Sequence, residues 1–172
     1  MQNYSLDDID KKILSFLTKN ARTPLTEIAR ECKISGAAVN QHIRKMTESG
    51  IITGSRVEVK PAALGLNVCA FISVSLSEDN KYAEVVAALK LVPEIVECHF
   101  VTGRAALLIK VFCYDNAHLM DVLLNTIQRI PYISSTETLL SLDEAFERQV
   151  WVKGVKPEAE RSFSSAKGTL LR

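Results

Sequence analysis

The chain has 172 residues, 47% of them hydrophobic and 24% charged, with only seven Gly and five Pro; it fits one mid-sized or two small globular domains and excludes collagen-like and Pro/Gly-rich disordered chains. The net charge of +1 is unevenly spread: ten Lys/Arg against seven Asp/Glu in residues 1–60, five against ten in 61–146, and six against three in 147–172, which points to at least two functional parts. The longest uncharged stretch, 61–77, is shorter than the ~20 apolar residues of a membrane helix, and residues 1–17 carry Asp7, Asp8, Asp10, Lys11 and Lys12 where a signal peptide is apolar. A cytoplasmic protein with no membrane partner is expected.

Residues 6–18 show helical spacing, with Ile9, Ile13, Phe16 and Leu17 on one face. Asp7 and Asp10 read as N-cap and N3, a carboxylate version of the capping box. Thr23 and Pro24 read as the N-cap and N1 of a second helix that buries Leu25, Ile28 and Ala29. After a short turn at Lys33 and Ile34, Ser35 caps a third helix reaching about Ser49, with Gly50 as its C′ residue. Val39, Ile43 and Met46 form the buried stripe of that helix. At about 100° per residue the opposite face carries Ala37, Gln41, Arg44 and Lys45, with Asn40 and His42 on its flanks. Ile51 and Ile52 re-enter the core, and Arg56, Val57, Glu58 and Val59 alternate as a strand.

Two short helices, a tight turn and a third helix with a small, polar, basic outer face match a helix-turn-helix that reads double-stranded DNA. Ser35, Ala37, Ala38, Asn40, Gln41, His42, Arg44 and Lys45 are the candidate contacts. Ala37 and Ala38 permit close approach, Asn40 and Gln41 offer paired donors and acceptors, Arg44 can grip guanine or phosphate, and Lys45 suits phosphate.

Further along, residues 67–76 read as a strand, 80–91 as a helix, 96–102 and 106–114 as two strands around a turn at Gly103, 117–130 as a helix and 133–142 as a final strand. The order βαββαβ is that of a ferredoxin-like sheet with both helices on one side, so the fold class is α+β. Ala106 to Ile109 and Val111 to Cys113 look apolar on both faces. Such a sheet needs a second copy to cover its free face, and a homodimer also presents two third helices to two half-sites. The expected domains are 1–60 for DNA binding, 61–146 for dimerisation and effector binding, and 147–172 as an extension. In that extension Val150, Trp151 and Val152 suit a strand, and 156–172 a basic tail or terminal helix.

Cys32, Cys69, Cys98 and Cys113 include no C-x-x-C pair, so no metal site and no redox motif is expected, and the thiols read as buried and reduced. Cys98 and His99 are strand neighbours facing opposite ways, a poor chelate. No catalytic constellation and no cofactor motif is found.

Several segments, in order, resemble the leucine-responsive regulatory protein/AsnC (feast/famine) transcription regulators: Leu6 to Asp10 with Ile13 and Leu14; Ala21 to Thr23 with Glu27 to Ala29; Ile34 and Ser35 with Val39 and Ile43; Gly50 to Gly54; Leu64 to Leu66; Pro93 to Val96; Val101 to Gly103; and Thr136 to Thr138. The resemblance implies a winged-helix-like N-terminal domain and a dimerising α/β C-terminal domain, assembly into tetramers, octamers or larger, and response to an amino acid or other small effector. It implies an effector site at Thr102, Gly103, Arg104, Ala105 and Ala106, faced by Ser134, Thr136 and Thr138. Three positions depart from the family pattern. Ala106 stands where amino-acid-binding members carry an acid, so weak or absent zwitterion binding or a more anionic effector beside Arg104 is expected, the other reading being a solvated Arg104 in a protein that works without a ligand. Lys33 stands where the turn has glycine, a position that asks for φ > 0. His42 stands where arginine is common. A haem-biosynthesis decarboxylase of similar fold, using His99, and an oligomeric ligand sensor that does not bind DNA are the alternatives.

Overall fold

The computed structural model describes residues 4–155; the expected tail or helix at 156–172 lies outside them. The elements are α1 (Asp8–Leu17), α2 (Leu25–Cys32), α3 (Gly36–Glu48), β1 (Val68–Leu76), α4 (Tyr82–Leu89), β2 (Ile95–Phe100), β3 (Leu107–Cys113), α5 (Asn116–Asp121) and β4 (Ile133–Ser141). They fall into two compact units, one running to Val57 and resuming at Glu147, the other spanning Glu58–Phe146. Among the described residues no helix is long and apolar enough to cross a membrane.

In the first unit the capping box of α1 forms as expected. Asp7 accepts from the Asp10 N–H at 2.7 Å, and Asp10 accepts from the Asp7 N–H at 3.0 Å. The start of α2 differs. Pro24, which has no side-chain acceptor, holds the cap position with no side-chain hydrogen bond, and the Thr23 hydroxyl donates to the Asn20 carbonyl at 2.7 Å. At the other end Lys33 adopts φ 57°, ψ 39°, the left-handed conformation its place in the turn demands. Ile13, Leu14, Ile28, Ala29, Val39 and Met46 form the core, with Ile9, Phe16, Leu17, Ile34, Ile43, Ile52 and Val152 packed around it. Leu25, as the first residue of α2, remains 38% exposed, and Ile51 stays at the rim.

Neither expected flanking strand forms. Residues Arg56 to Val59 and Val150 to Val152 have no regular structure. Alternation puts side chains in order but does not supply a ladder partner, and an unpaired strand keeps its N–H and C=O groups in water. Val57 and Val59 are exposed accordingly. Arg56 instead meets Glu147 at 3.9 Å, and the Trp151 indole donates to the Val155 carbonyl.

The second unit is the expected βαββαβ sheet, ordered β2-β3-β1-β4 with every pair antiparallel. Ala70, Ile72, Val74, Leu107, Ile109, Val111 and Cys113 point to one face and are buried under Val85 and Leu89 of α4 and Leu119, Val122 and Ile127 of the second helical segment. That segment is not one continuous helix. A π-helical turn over Val122–Thr126 follows α5, then a 3-10 turn over Ile127–Arg129. The residue inserted by the wider turn puts Ile127, fully buried, in the inward slot that Thr126 would otherwise take.

The free face is less uniformly apolar than expected. β1 and β3 alternate strictly, so this face carries Cys69, Phe71, Ser73 and Ser75 beside Leu108, Lys110 and Phe112. The Lys110 ammonium lies 5.8 Å and 5.4 Å from the Phe71 and Phe112 ring centres and 3.8 Å and 3.9 Å from Glu97 and Glu144. Its charge is thus accommodated between two rings and two carboxylates on the free face, with 14% of the side chain exposed. Of the cysteines Cys113 is buried, Cys32 and Cys69 are half-buried, and Cys98 is exposed, contrary to the expectation of four buried thiols.

Candidate nucleic-acid interface and effector hollow

Ser35 caps α3 by accepting from the Ala38 N–H at 3.1 Å. Val39 and Met46, both fully buried, turn one side of the helix inward. That fixes the other side outward: Ala37, Asn40, Gln41, Arg44 and Lys45 are exposed, as is Ser35 before them, while Ala38 is half-buried. Arg44 is restrained along the helix by Glu48, Nε to Oε1 at 2.7 Å. A rim of amide and cationic side chains on a capped, exposed helix can meet base edges and phosphates.

His42 behaves differently from the other candidates. It turns back to α1, where its Nδ1 sits 2.7 Å from Asp10 Oδ1. The Asp10 side chain is 1% exposed and that of His42 21%. The second Asp10 oxygen accepts from the Tyr4 hydroxyl at 2.9 Å and from the Asp7 N–H at 3.0 Å. Burial pushes the Asp10 carboxyl up, but the hydrogen bonds from His42, the Asp7 backbone and Tyr4 outweigh it and hold the group below the usual aspartate value. Donor atoms of Asp7, Asp10 and His42 lie within 4.8 Å of one another, and the hydrogen bonds just described account for the grouping. Reading Asp10 only as an N3 cap misses this second role. The available signal is its position three and four residues before the buried Ile13 and Leu14, a carboxylate within an apolar stripe.

In the second unit the β2–β3 turn borders a hollow of about 440 Å³, lined by Ser73, Ser75, Val101, Thr102, Arg104, Ala105, Leu108, Ser135, Thr136 and Glu137. The hollow exists because β1 changes from Phe71 to the small Ser73 and Ser75 as it runs toward the turn. Of the expected effector residues, Thr102, Arg104, Ala105 and Thr136 line it. The Thr136 hydroxyl, however, meets the Gln128 side-chain amide at 2.8 Å. Gly103 (φ 126°), Ala106, Ser134 and Thr138 are not in the lining. Ala106 is tied into the sheet through the Val74 carbonyl at 3.0 Å, and Thr138 pairs opposite the inward-facing Ile72.

Sequence reasoning passed over Ser73, Ser75, Ser135 and Glu137. Glu137 pairs opposite Ser73 and Ser135 opposite Ser75, so both share the free face. Register between β1 and β4 decides which alternate set of β4 faces the turn, and a shift of one residue exchanges the two sets. The turn therefore offers a carboxylate as well as a cation, and the expectation of a cation alone is incomplete. Among the described residues neither Arg104 nor Glu137 forms an ion pair.

Residues 69–151 match the Lrp/AsnC ligand binding domain family, and residues 6–53 match the winged helix-turn-helix DNA-binding family. The chain is 38% identical to the regulatory protein AsnC of Escherichia coli (strain K12) over 150 residues, covering 87% of this chain and 99% of that protein. It is 32% identical over 145 residues to the proline dehydrogenase transcriptional activator of Rhodobacter capsulatus, covering 83% and 94%. The structure of E. coli AsnC superposes with a TM-score of 0.81 at 37% identity, covering 86% of this chain and 99% of that one. A feast or famine regulatory protein from M. tuberculosis, complexed with L-methionine, shares the fold with a TM-score of 0.80 at 24% identity, covering 86% and 99%.

Proposed function

Because the chain belongs to the Lrp/AsnC family of DNA-binding transcription regulators, we propose that the outer face of α3 enters the major groove and that the hollow beside the β2–β3 turn takes a small effector. The observation that carries the first half is the division of α3, with Val39 and Met46 fully buried on one side and Asn40, Gln41, Arg44 and Lys45 exposed on the other. Asn40 and Gln41 read base edges, Arg44 takes guanine or phosphate, and Lys45 takes phosphate. Ala37 and Ala38 leave room for the approach, and Ser35 sets the helix start. His42 contributes by fixing α3 through Asp10.

The same reading assigns residues 1–60 to DNA, 61–146 to self-association and effector binding, and 147–172 to an extension. It places the protein in the cytoplasm with its DNA. The working form is a homodimer, assembling further into tetramers or octamers. Phe71, Leu108, Phe112 and Leu139 on the free sheet face supply apolar surface for a second copy, and the pair of α3 helices addresses half-sites about 34 Å apart. Regulation rather than catalysis is the role, since the relatives found are regulatory proteins. The decarboxylase alternative gains nothing from His99, which lies exposed on β2 beside Glu97 at 3.1 Å.

A gel shift on the chain's own upstream DNA at two stated salt concentrations tests the proposal. Binding that weakens steeply with salt and survives unlabelled competitor DNA of scrambled sequence is expected. A ligand sensor without DNA affinity gives no shift at either salt.

A further inference from the structure

We infer that residues 161–172 are a second DNA contact, a basic arm that lays Arg161, Lys167 and Arg172 on backbone phosphates beside the stretch read by α3. This rests on the DNA reading above and extends it to a segment outside the described residues. The tether of that segment is well defined. From Glu147 onward the chain belongs to the unit that holds α3, not to the sheet unit. Val152 packs against the core shared by α1, α2 and α3. Gly154 lies against α1, where an added Cβ would stand 3.6 Å from the Lys11 Cδ. The Trp151 indole donates to the Val155 carbonyl. Whatever follows Val155 therefore starts from the surface of the DNA-reading unit.

The ligand binding domain match ends at residue 151, so the chemistry of this segment is its own. Residues 156–160 hold Lys156 against Glu158 and Glu160. Beyond them the balance changes: 161–172 hold Arg161, Lys167 and Arg172 with no acid, and add the hydroxyls of Ser162, Ser164, Ser165 and Thr169. Arg, Lys, Ser and Thr are the side chains that serve phosphate oxygens without reading bases. Cations that follow one another with no acid between them match a polyanion. Reach sets no obstacle. The residues after Val155 span up to about 55 Å when extended, whereas a unit of this size is roughly 30 Å across. Phosphates flanking α3 thus lie within range of any point on the unit's surface.

The test is the salt dependence of DNA affinity for the full chain and for a full-length variant with Arg161→Gln, Lys167→Gln and Arg172→Gln. Each phosphate contact contributes about 0.9 to the slope of log affinity against log salt, so the variant's slope should be shallower by about 2–3 per protomer. The affinity ratio of parent to variant should then grow more than ~10-fold as salt is lowered from about 200 to about 50 mM. The change should be the same on the upstream DNA and on a scrambled duplex, because phosphates carry no sequence. An equal slope overturns the inference. So does a loss of affinity that leaves the slope alone, which is the result if the segment packs on protein or governs assembly instead. A second measurement uses only the parent: acetylation of Lys167, followed by mass spectrometry, should slow severalfold when either duplex is added, and equal rates overturn the inference should the variant misfold. The two readings fail separately. A parent that holds its upstream DNA specifically but shows neither effect removes only the arm, and a parent without DNA affinity removes the regulator reading as well.

Discussion

Replacing Asp10 by Ala removes the acceptor for three donors at once: the His42 ring, the Tyr4 hydroxyl and the Asp7 N–H. The cap term alone is worth about 1 kcal/mol. Hydrogen bonds to a charged group contribute about 1.5–3 kcal/mol each, but His42 and Tyr4 retain access to water, and the cost of burying the carboxylate is recovered. A net loss of about 2–3 kcal/mol follows, a drop of roughly 10–20 °C in melting temperature for a unit of this size. Asp10→Asn should lose less, near 1 kcal/mol, because its carbonyl oxygen can still serve Tyr4 and Asp7. Urea unfolding followed by the fluorescence of Trp151, the chain's one tryptophan and a residue of the first unit, reports the change. The acid limb gives a second readout. The folded Asp10 carboxyl is held below its ordinary value, so its stabilisation is intact above an unfolded aspartate pKa of about 3.9 and is lost as pH falls through the lower folded value. Asp10→Asn should flatten that part of the profile. A variant Asp10→Ala that unfolds within about 0.5 kcal/mol of the parent would refute this account, since surface substitutions stay within that range.

Arg44→Ala should weaken binding to the specific DNA by about 1–3 kcal/mol without shifting the melt, because the side chain is 79% exposed; an unchanged gel-shift affinity would mean that another face of α3 meets the duplex. Val39→Asp should abolish folding of the first unit, at a cost above about 4 kcal/mol, by placing an unpaired charge in a fully buried position; a cooperative parent-like fluorescence transition would contradict the assigned core. Lys33→Gly should raise the stability of the same unit by about 1 kcal/mol, since glycine adopts φ 57° without the clash a Cβ brings; urea midpoints compare the two.

Local chemistry made much of the fold legible. The Asp7/Asp10 box, the Ser35 cap and the Val39/Met46 stripe are short-range patterns, and each forms where the residues imply. The order βαββαβ could also be read, because each segment carries one clear periodicity. What failed depends on distant partners. Arg56 to Val59 alternate like a strand but meet no ladder among the described residues. The helix at 117–130 is widened where Ile127 must reach the core, and no single residue announces that. From β4 the hollow is lined by Ser135 and Glu137 as well as the expected Thr136, and the pairing register that brings them there is not a local pattern. Asp10 was recognised as a cap, while its bond to His42 spans a sequence gap that helical spacing cannot bridge.

The Asp10–His42 contact also bears on how freely this protein's DNA preference can be re-engineered. The roll of α3 about its long axis is governed partly by an anion that belongs to another helix. A chimera receiving Gly36–Glu48 alone would import an imidazole without its counterpart, and the grafted side chains would arrive at an altered pitch. Transplanting the specificity calls for moving Tyr4, Asp10 and His42 as a matched set.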